Sequence, residues 1–317
     1  MWLEFVDTDD VASRIEQAAS LGVSVNMALV EQHHDRRYLQ TACAAAERAD
    51  VQLTVWPLLT EVDGYWPNQA NAASYRSWAT RLLGWSDAVC PNLDGIAVDL
   101  EPPIAMMESL TADGGLDPVA ATEVLLADLD LAEFEAGRAA FADLCTEVHA
   151  RGLRCKLTTL PFVVDDRLDG DEDIAKALRI PVEGVGWDSL SFQVYRSLFQ
   201  TYALDDTAEF TSGLVTSYAD DIVEFWGSRA AIDLGTTAGG MVEHGGLDSP
   251  EAMQQDYAAA LGAGIAVDRI SLYSLEGLDG HPDPSAWVAV PEPATPRSDA
   301  ATDDLRGLIQ ALDLAID

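Results

Sequence analysis

The chain reads DGIAVDLE at residues 94–101, a short run of alternating character that is followed at once by two prolines. Branched apolar residues favour a β-strand, and proline is confined to strand ends and edges. Successive side chains of a strand point to opposite faces, so Ala97, Asp99 and Glu101 should share one face. The apolar residues between them would then face the packed side of the sheet. This segment therefore predicts a buried strand that carries two carboxylates on its inner face.

Similar strand-like runs recur along the chain, with alanine-rich helical periodicity between them. The predicted strands lie at 2–6, 23–30, 51–59, 95–101, 153–161, 189–195, 231–237 and 269–275, and helices at 11–20, 39–49, 72–85, 133–150, 218–226 and 250–261. Eight alternating units predict an α/β protein with a (β/α)8 TIM barrel. An open doubly wound sheet is the alternative, but it would need a glycine-rich turn where residues 7–10 read DTDD.

The barrel is predicted to be a single domain over residues 1–290. A polar, proline-containing linker and a C-terminal helix packed on the barrel should follow over 291–317. Residues 104–127 form an unusually long connection after the fourth strand, and such an excursion would lie over the active face of a barrel.

The composition is strongly acidic, with 54 acidic residues, 18 basic residues and a formal net charge of −36. This charge repels nucleic acids and anionic membranes, so neither is predicted as a partner. The acidic residues are spread through segments with apolar periodicity, as in a folded protein. Molar salt shortens the Debye length to about 3 Å and would screen the repulsion. The composition therefore predicts a halophilic protein from a high-salt environment, whereas the oligomeric state stays open.

The start of the chain and the cysteines bear on location and cofactors. No basic, apolar leader is seen, so a cytoplasmic location is expected if the chain is complete. The four cysteines form no CxxC pair and are predicted to be buried free thiols. The histidines lack metal-binding spacing, so neither a metal site nor a cofactor is predicted.

The inward pair Asp99 and Glu101 predicts acid–base chemistry. Two close carboxylates raise the pKa of one member, as a general acid at neutral pH requires. The pair also lies at the carboxyl end of a barrel strand, where barrel enzymes keep their catalytic groups. The alternative is a strand end whose carboxylates bind an arginine or backbone amides.

Residues 93–101, LDGIAVDLE, resemble the strand-four signature DGxDxDxE of glycoside hydrolase family 18, the chitinase-like barrels. Gln193-Val194-Tyr195 is similar to the Gln-x-Tyr element on strand six of that family. The resemblance implies a retaining hydrolase of N-acetylhexosamine-containing or related glycans. Glu101 would protonate the leaving oxygen, and Asp99 would orient the substrate's N-acetyl group, whose carbonyl is the nucleophile. Tyr195 would donate a hydrogen bond to that group, and Gln193 would line its pocket.

Two positions depart from the family pattern. Ala97 occupies the place of the first Asp of DxDxE, and strand eight reads SLYSLE at 271–276, without the usual tryptophan. Tyr273 would replace that tryptophan. Alternatively, Glu101 is the acid of a different glycosidase in which Glu276 or Asp233 is the partner carboxylate.

Aromatic residues near the third strand are candidates for stacking on a sugar ring, namely Trp56, Tyr65 and Trp66. Two other functions stay open. One is a non-catalytic carbohydrate-binding barrel, suggested by the two departures from the family pattern. The other is a lyase or aldolase type of barrel enzyme that uses Lys156 as a Schiff-base lysine.

Overall fold

The computed structural model describes residues 1–111, 118–127, 129–201, 209–237 and 246–316. Eight parallel strands pair in chain order to form one sheet. The strands are β1 (Trp2–Leu3), β2 (Val25–Val30), β3 (Leu53–Leu58), β4 (Gly95–Leu100), β5 (Arg154–Thr159), β6 (Ser189–Gln193), β7 (Ala230–Gly235) and β8 (Ile270–Tyr273). A hydrogen bond of 2.9 Å from the Leu275 amide to the Trp2 carbonyl joins the two edges. The predicted (β/α)8 barrel is confirmed.

Helices alternate with the strands as predicted. They are α1 (Val11–Leu21), α2 (Arg36–Ala49), α3 (Ala72–Val89), α4 (Ile104–Thr111), α5 (Pro118–Leu126), α6 (Leu131–His149), α7 (Phe162–Asp166), α8 (Asp173–Ala177), α9 (Arg196–Thr201), α10 (Gly213–Trp226), α11 (Pro250–Gly262), α12 (Pro284–Val288) and α13 (Ala300–Ile316). Side-chain caps explain why some helices begin before the predicted residue. Asp35 accepts bonds from two amides at the start of α2, and Asp130 does the same for α6.

The alternation of β4 divides its side chains between two apolar layers. Ile96, Val98 and Leu100 pack in the large core between the strands and the helices. Ala97 belongs to a second, smaller cluster inside the barrel, and Asp99 is also buried. The predicted facing of the strand is therefore correct, and it directs Asp99 toward the barrel interior.

The amino end of β4 is held by an ion cluster. Asp94 pairs with Lys156 (Nζ to Oδ2, 2.8 Å) and with Arg154. Burial raises the pKa of Asp94, but the two cations outweigh that effect and hold it below its usual value. Gly95 lets β4 and β5 approach closely here, since a Cβ at Gly95 would lie 2.1 Å from the Arg154 carbonyl oxygen.

The prediction of free thiols is wrong. Cys43 is bonded to Cys90, and Cys145 is bonded to Cys155, with Cα atoms 5.4 Å apart in each pair. The first bond joins α2 to the end of α3, and the second joins α6 to β5. Pairing follows from how the helices pack around the barrel, and the spacing of cysteines along the chain does not reveal it.

The C-terminal helix α13 packs against α7 and α8, and residues 289–299 before it form no regular element. The long connection predicted at 104–127 holds α4 and α5, and its residues 112–117 lie outside the described part of the chain. Within the described ranges, no helix has both the length and the apolar character needed to span a membrane.

Candidate active site

Asp99 and Glu101 meet at the carboxyl end of β4, where Gln193 at the end of β6 joins them. The Gln193 amide nitrogen donates to Asp99 Oδ1 at 2.9 Å and to Glu101 Oε1 at 3.0 Å. Burial raises the pKa of Glu101 to about 7. Burial and the neighbouring Glu101 raise the pKa of Asp99. The pair therefore retains a proton near neutral pH, as a general acid requires.

The alternative of a capped strand end requires a cation or backbone amides beside these carboxylates. Among the described residues, the groups that act on Asp99 and Glu101 are Gln193, other carboxylates and each other, without an arginine or lysine. The geometry therefore favours a proton-sharing pair over an ion pair.

A third carboxylate, Glu4, lies at the carboxyl end of β1 and was missed by the sequence analysis. It is 6% exposed and accepts hydrogen bonds from Tyr65 (2.8 Å to Oε1) and from Tyr273. Burial raises its pKa to about 7, and Glu276 and Glu101 add to the effect. The signal was present in the sequence, because Glu4 is an acidic residue placed two positions after the inward Trp2, in the way that Asp99 follows Ala97.

Tyr195 and Tyr273 line the interior beside the pair. Their ring centroids are 5.9 Å apart, and both side chains are buried. Gly235 on β7 makes room for the Tyr195 ring, since a Cβ there would lie 3.1 Å from Tyr195 Cδ1. Non-proline cis peptide bonds follow Gly235 and Tyr273. The structure thus brings Tyr195 into the same interior cluster as Ala97.

The aromatic residues predicted to stack on a sugar extend this cluster. Trp56 is buried and packs edge-on against Trp2, with ring centroids 4.9 Å apart. Its indole nitrogen is buried and has no hydrogen-bond partner among the described residues. Tyr65 and Trp66 are only partly buried and pack on the cluster from the loop after β3. Tyr65 adopts the left-handed conformation (φ 55°), which is uncommon for a bulky residue and fixes its hydroxyl on Glu4.

Glu276 and Asp233, the two alternative partner carboxylates, are hydrogen-bonded to other groups of the barrel. Glu276 Oε1 accepts from the Phe5 amide at 2.8 Å and from the Glu4 amide, so it supports the end of β1. Asp233 is fully buried and accepts from Trp2 (2.9 Å) and Thr158 (2.5 Å). Both are engaged by the barrel itself, although Asp233 is near enough to raise the pKa of Asp99.

Lys156 lies toward the other end of the barrel. Besides Asp94, its ammonium group contacts Thr54 Oγ1 at 2.9 Å, and burial lowers its pKa. A cavity of about 810 Å³ opens at this amino end and includes Lys156, Arg154 and Arg269 in its lining. The lysine is thus held in an ion pair away from the Asp99–Glu101 pair.

The chain matches no protein-family model, and no curated protein resembles it in sequence. Solved structures with a similar fold include a D-allulose 3-epimerase from Methylomonas sp. in complex with D-allulose (12% identity, 99% of this chain and 95% of that one, TM-score 0.48). Others are a broad-specificity GH5 endoglucanase from Clostridium longisporum (10%, 96% and 86%, TM-score 0.48) and a putative fructose-1,6-bisphosphate aldolase from Coccidioides immitis (14%, 100% and 88%, TM-score 0.43). These likenesses concern the barrel fold and say nothing about the activity of this chain.

Proposed function

We propose that the protein is a retaining glycoside hydrolase of chitinase-like type, with Glu101 as its general acid. The observation that carries the proposal is the pair of buried Asp99 and partly buried Glu101, bridged by Gln193 at the carboxyl end of β4. A pKa of about 7 for Glu101 suits an acid that must be protonated before it donates to a leaving oxygen.

In this proposal the substrate's own acetamido oxygen attacks the anomeric carbon, and Asp99 orients and stabilises that group. The proton of Glu101 passes to the departing glycosidic oxygen, and the Glu101 carboxylate then accepts a proton from the water that opens the cyclic intermediate. Tyr195 donates a hydrogen bond to the acetamido group. The substrate is an N-acetylhexosamine-containing or related glycan.

Asp233 is an argument that the site is active although it has Ala97 in place of a carboxylate. The resemblance assigns to the residue at position 97 a carboxylate that shares charge and a proton with Asp99. Asp233 supplies part of that effect from β7, because its charge raises the pKa of Asp99. Ala97 and Asp233 both line the cavity at the amino end of the barrel, so both side chains face the barrel interior.

The aromatic cluster supports a sugar as the ligand. Tyr65 and Trp66 are partly exposed and pack against the interior cluster that contains Ala97 and Tyr195, and aromatic faces match the C–H surface of a sugar ring. The buried indole N–H of Trp56 lacks a partner within the described part of the chain, and a sugar hydroxyl would satisfy it.

The role of Glu101 is tested with aryl glycosides that differ in leaving group. A good leaving group needs little protonation, so the bond-breaking step of Glu101→Gln, read as the pre-steady-state burst of released phenol, should keep most of its rate on dinitrophenyl glycosides and lose about 10²–10⁴-fold on methylumbelliferyl glycosides. Equal losses of the burst rate on both classes would exclude a general-acid role. Glu108→Gln, on an exposed position of the neighbouring helix α4, is the matched control and should behave as the wild type.

A non-catalytic carbohydrate-binding barrel is the second candidate, and Ala97 is the observation that favours it. Loss of a carboxylate at this position removes a group that the resemblance assigns to proton sharing. Calorimetry with chito-oligosaccharides separates the two candidates. Binding without any release of reducing ends would support the binding barrel.

A further inference from the structure

The C-terminal helix α13 meets the segment after β5 through two neighbouring groups of aspartates. The first group is neutralised by a cation from α13. Arg306 Nε lies 2.7 Å from Asp165 Oδ1, and another nitrogen of Arg306 lies 2.6 Å from Asp221. Tyr218 completes this group by donating its hydroxyl to Asp165 at 2.9 Å.

The second group, the triad of Asp166, Asp171 and Asp313, is different. Each of the three residues offers one carboxylate oxygen, and these oxygens all lie within 4.8 Å of one another. Asp313 is seven residues after Arg306 on α13, so both residues lie on the helix face that meets this segment. Asp169 also contacts Asp313, which brings a fourth carboxylate to the cluster.

Among the described residues, no cation forms an ion pair with the triad. The ion pairs nearby involve Asp165, Asp173, Glu183 and Asp221 instead. Asp166 and Asp313 are 1% and 4% exposed, so water screens their repulsion poorly.

The oxygens of the triad are also oriented. Asp166 accepts hydrogen bonds from the amides of Ile174 and Ala175, at 3.0 and 2.9 Å. Oδ1 of Asp313 is buried and has no hydrogen-bond partner within the described part of the chain. A buried carboxylate oxygen without a donor, on a residue that also offers an oxygen to the triad, is costly unless a cation satisfies it.

We propose that Asp166, Asp171 and Asp313 bind a Ca²⁺ ion that joins α13 to the barrel. Carboxylate oxygens are the hard ligands that Ca²⁺ prefers, at about 2.3–2.6 Å. Oxygens separated by up to 4.8 Å fit around such an ion, since that distance is twice a Ca²⁺–oxygen bond. Mg²⁺ demands about 2.0–2.1 Å and a near-ideal octahedron, so this spread favours the larger ion. The site departs from the sequence prediction of no metal and is independent of the proposed glycosidase.

The test is calorimetric titration of chelator-treated protein with CaCl₂ in molar KCl, which suppresses loose binding to an acidic surface. We expect one saturable site with a dissociation constant below about 1 mM. Asp313→Asn should weaken it by about tenfold or more because a charged ligand is lost. Asp304→Asn, an exposed position on the same helix, is the matched control and should bind as the wild type. Unchanged affinity in Asp313→Asn, or the absence of a saturable site in the wild type, would overturn the proposal.

Thermal unfolding gives a second readout that separates ligand loss from misfolding. With chelator, Asp313→Asn should melt at or above the temperature of the wild type, because the crowded group of acidic side chains loses one member. With CaCl₂ the order should reverse, because only the wild type gains the binding energy of the ion. A variant that melts lower under both conditions would show that the aspartate serves packing, which contradicts the proposal.

Discussion

Replacing Glu101 by glutamine should make the protein relatively more stable as the pH rises. Burial raises the pKa of Glu101 from 4.5 to about 7 in the folded state. A folded pKa above the unfolded value adds stability that is complete below the unfolded pKa and is lost as the pH rises through the folded pKa. At 1.36 kcal/mol for each pKa unit, the wild type loses up to about 3 kcal/mol between about pH 4.5 and pH 8.

Glutamine at position 101 does not ionise. Because Glu101 helps to raise the pKa of Asp99, the substitution also lowers the pKa of Asp99. The variant should therefore gain up to about 3 kcal/mol over the wild type across this pH range, whatever constant offset the substitution introduces. The assay is urea unfolding of both proteins at constant molar KCl, at a series of pH values. Glu108→Gln serves as the control for an exposed glutamate on α4, where solvent screens the charge. A difference between Glu101→Gln and wild type that does not grow with pH would refute the assignment of a buried, proton-retaining pair.

Other features lead to further predictions. Gln193→Leu removes the hydrogen bond that lowers the pKa of Glu101. The pH at which kcat/KM falls on the alkaline side should therefore rise by about one unit. An unchanged pH profile would show that Gln193 does not set the pKa of Glu101. Removing the Cys43–Cys90 bond by the double substitution Cys43→Ala and Cys90→Ala, which leaves Cys145–Cys155 in place, should lower the free energy of unfolding by about 4 kcal/mol, since the bond closes a loop over a sequence separation of 47 residues. An unchanged urea midpoint in this variant would argue against that bond. Because of the net charge of −36, the Tm should rise between dilute buffer and molar KCl, and a constant Tm would contradict salt adaptation.

Strand alternation was enough to predict the position of the central pair. The run at 94–101 has a period of two, so the facing of Asp99 follows from local sequence once the barrel is recognised. Gln193 was placed in the pocket by the resemblance to the family's strand-six element, whereas its hydrogen bonds to both carboxylates are seen only in the structure. Glu4 was missed because the predicted strand extended over residues 2–6 and placed Glu4 in its interior, whereas β1 ends at Leu3 and Glu4 lies at its carboxyl end.

Features that depend on packing between distant segments could not be predicted from local patterns. The disulfides join helices and a strand whose neighbourhood is set by the barrel. The triad joins the segment after β5 to the last helix, and Asp313 looks like any surface acid in a chain with 54 acidic residues. Its burial and its unpartnered oxygen become evident only when α13 is placed on the barrel.

The central claim is that Glu101 is the acid of a glycosidase, and it is tested most directly by hydrolysis of aryl glycosides in molar KCl. The panel contains methylumbelliferyl glycosides of N-acetylglucosamine and chitobiose, whose leaving group needs protonation, beside the glucoside that lacks the acetamido group. We predict release from the N-acetylated substrates, little from the glucoside, and loss of release in Glu101→Gln. Release that persists in Glu101→Gln, or a folded wild type that hydrolyses none of these substrates, would contradict the account.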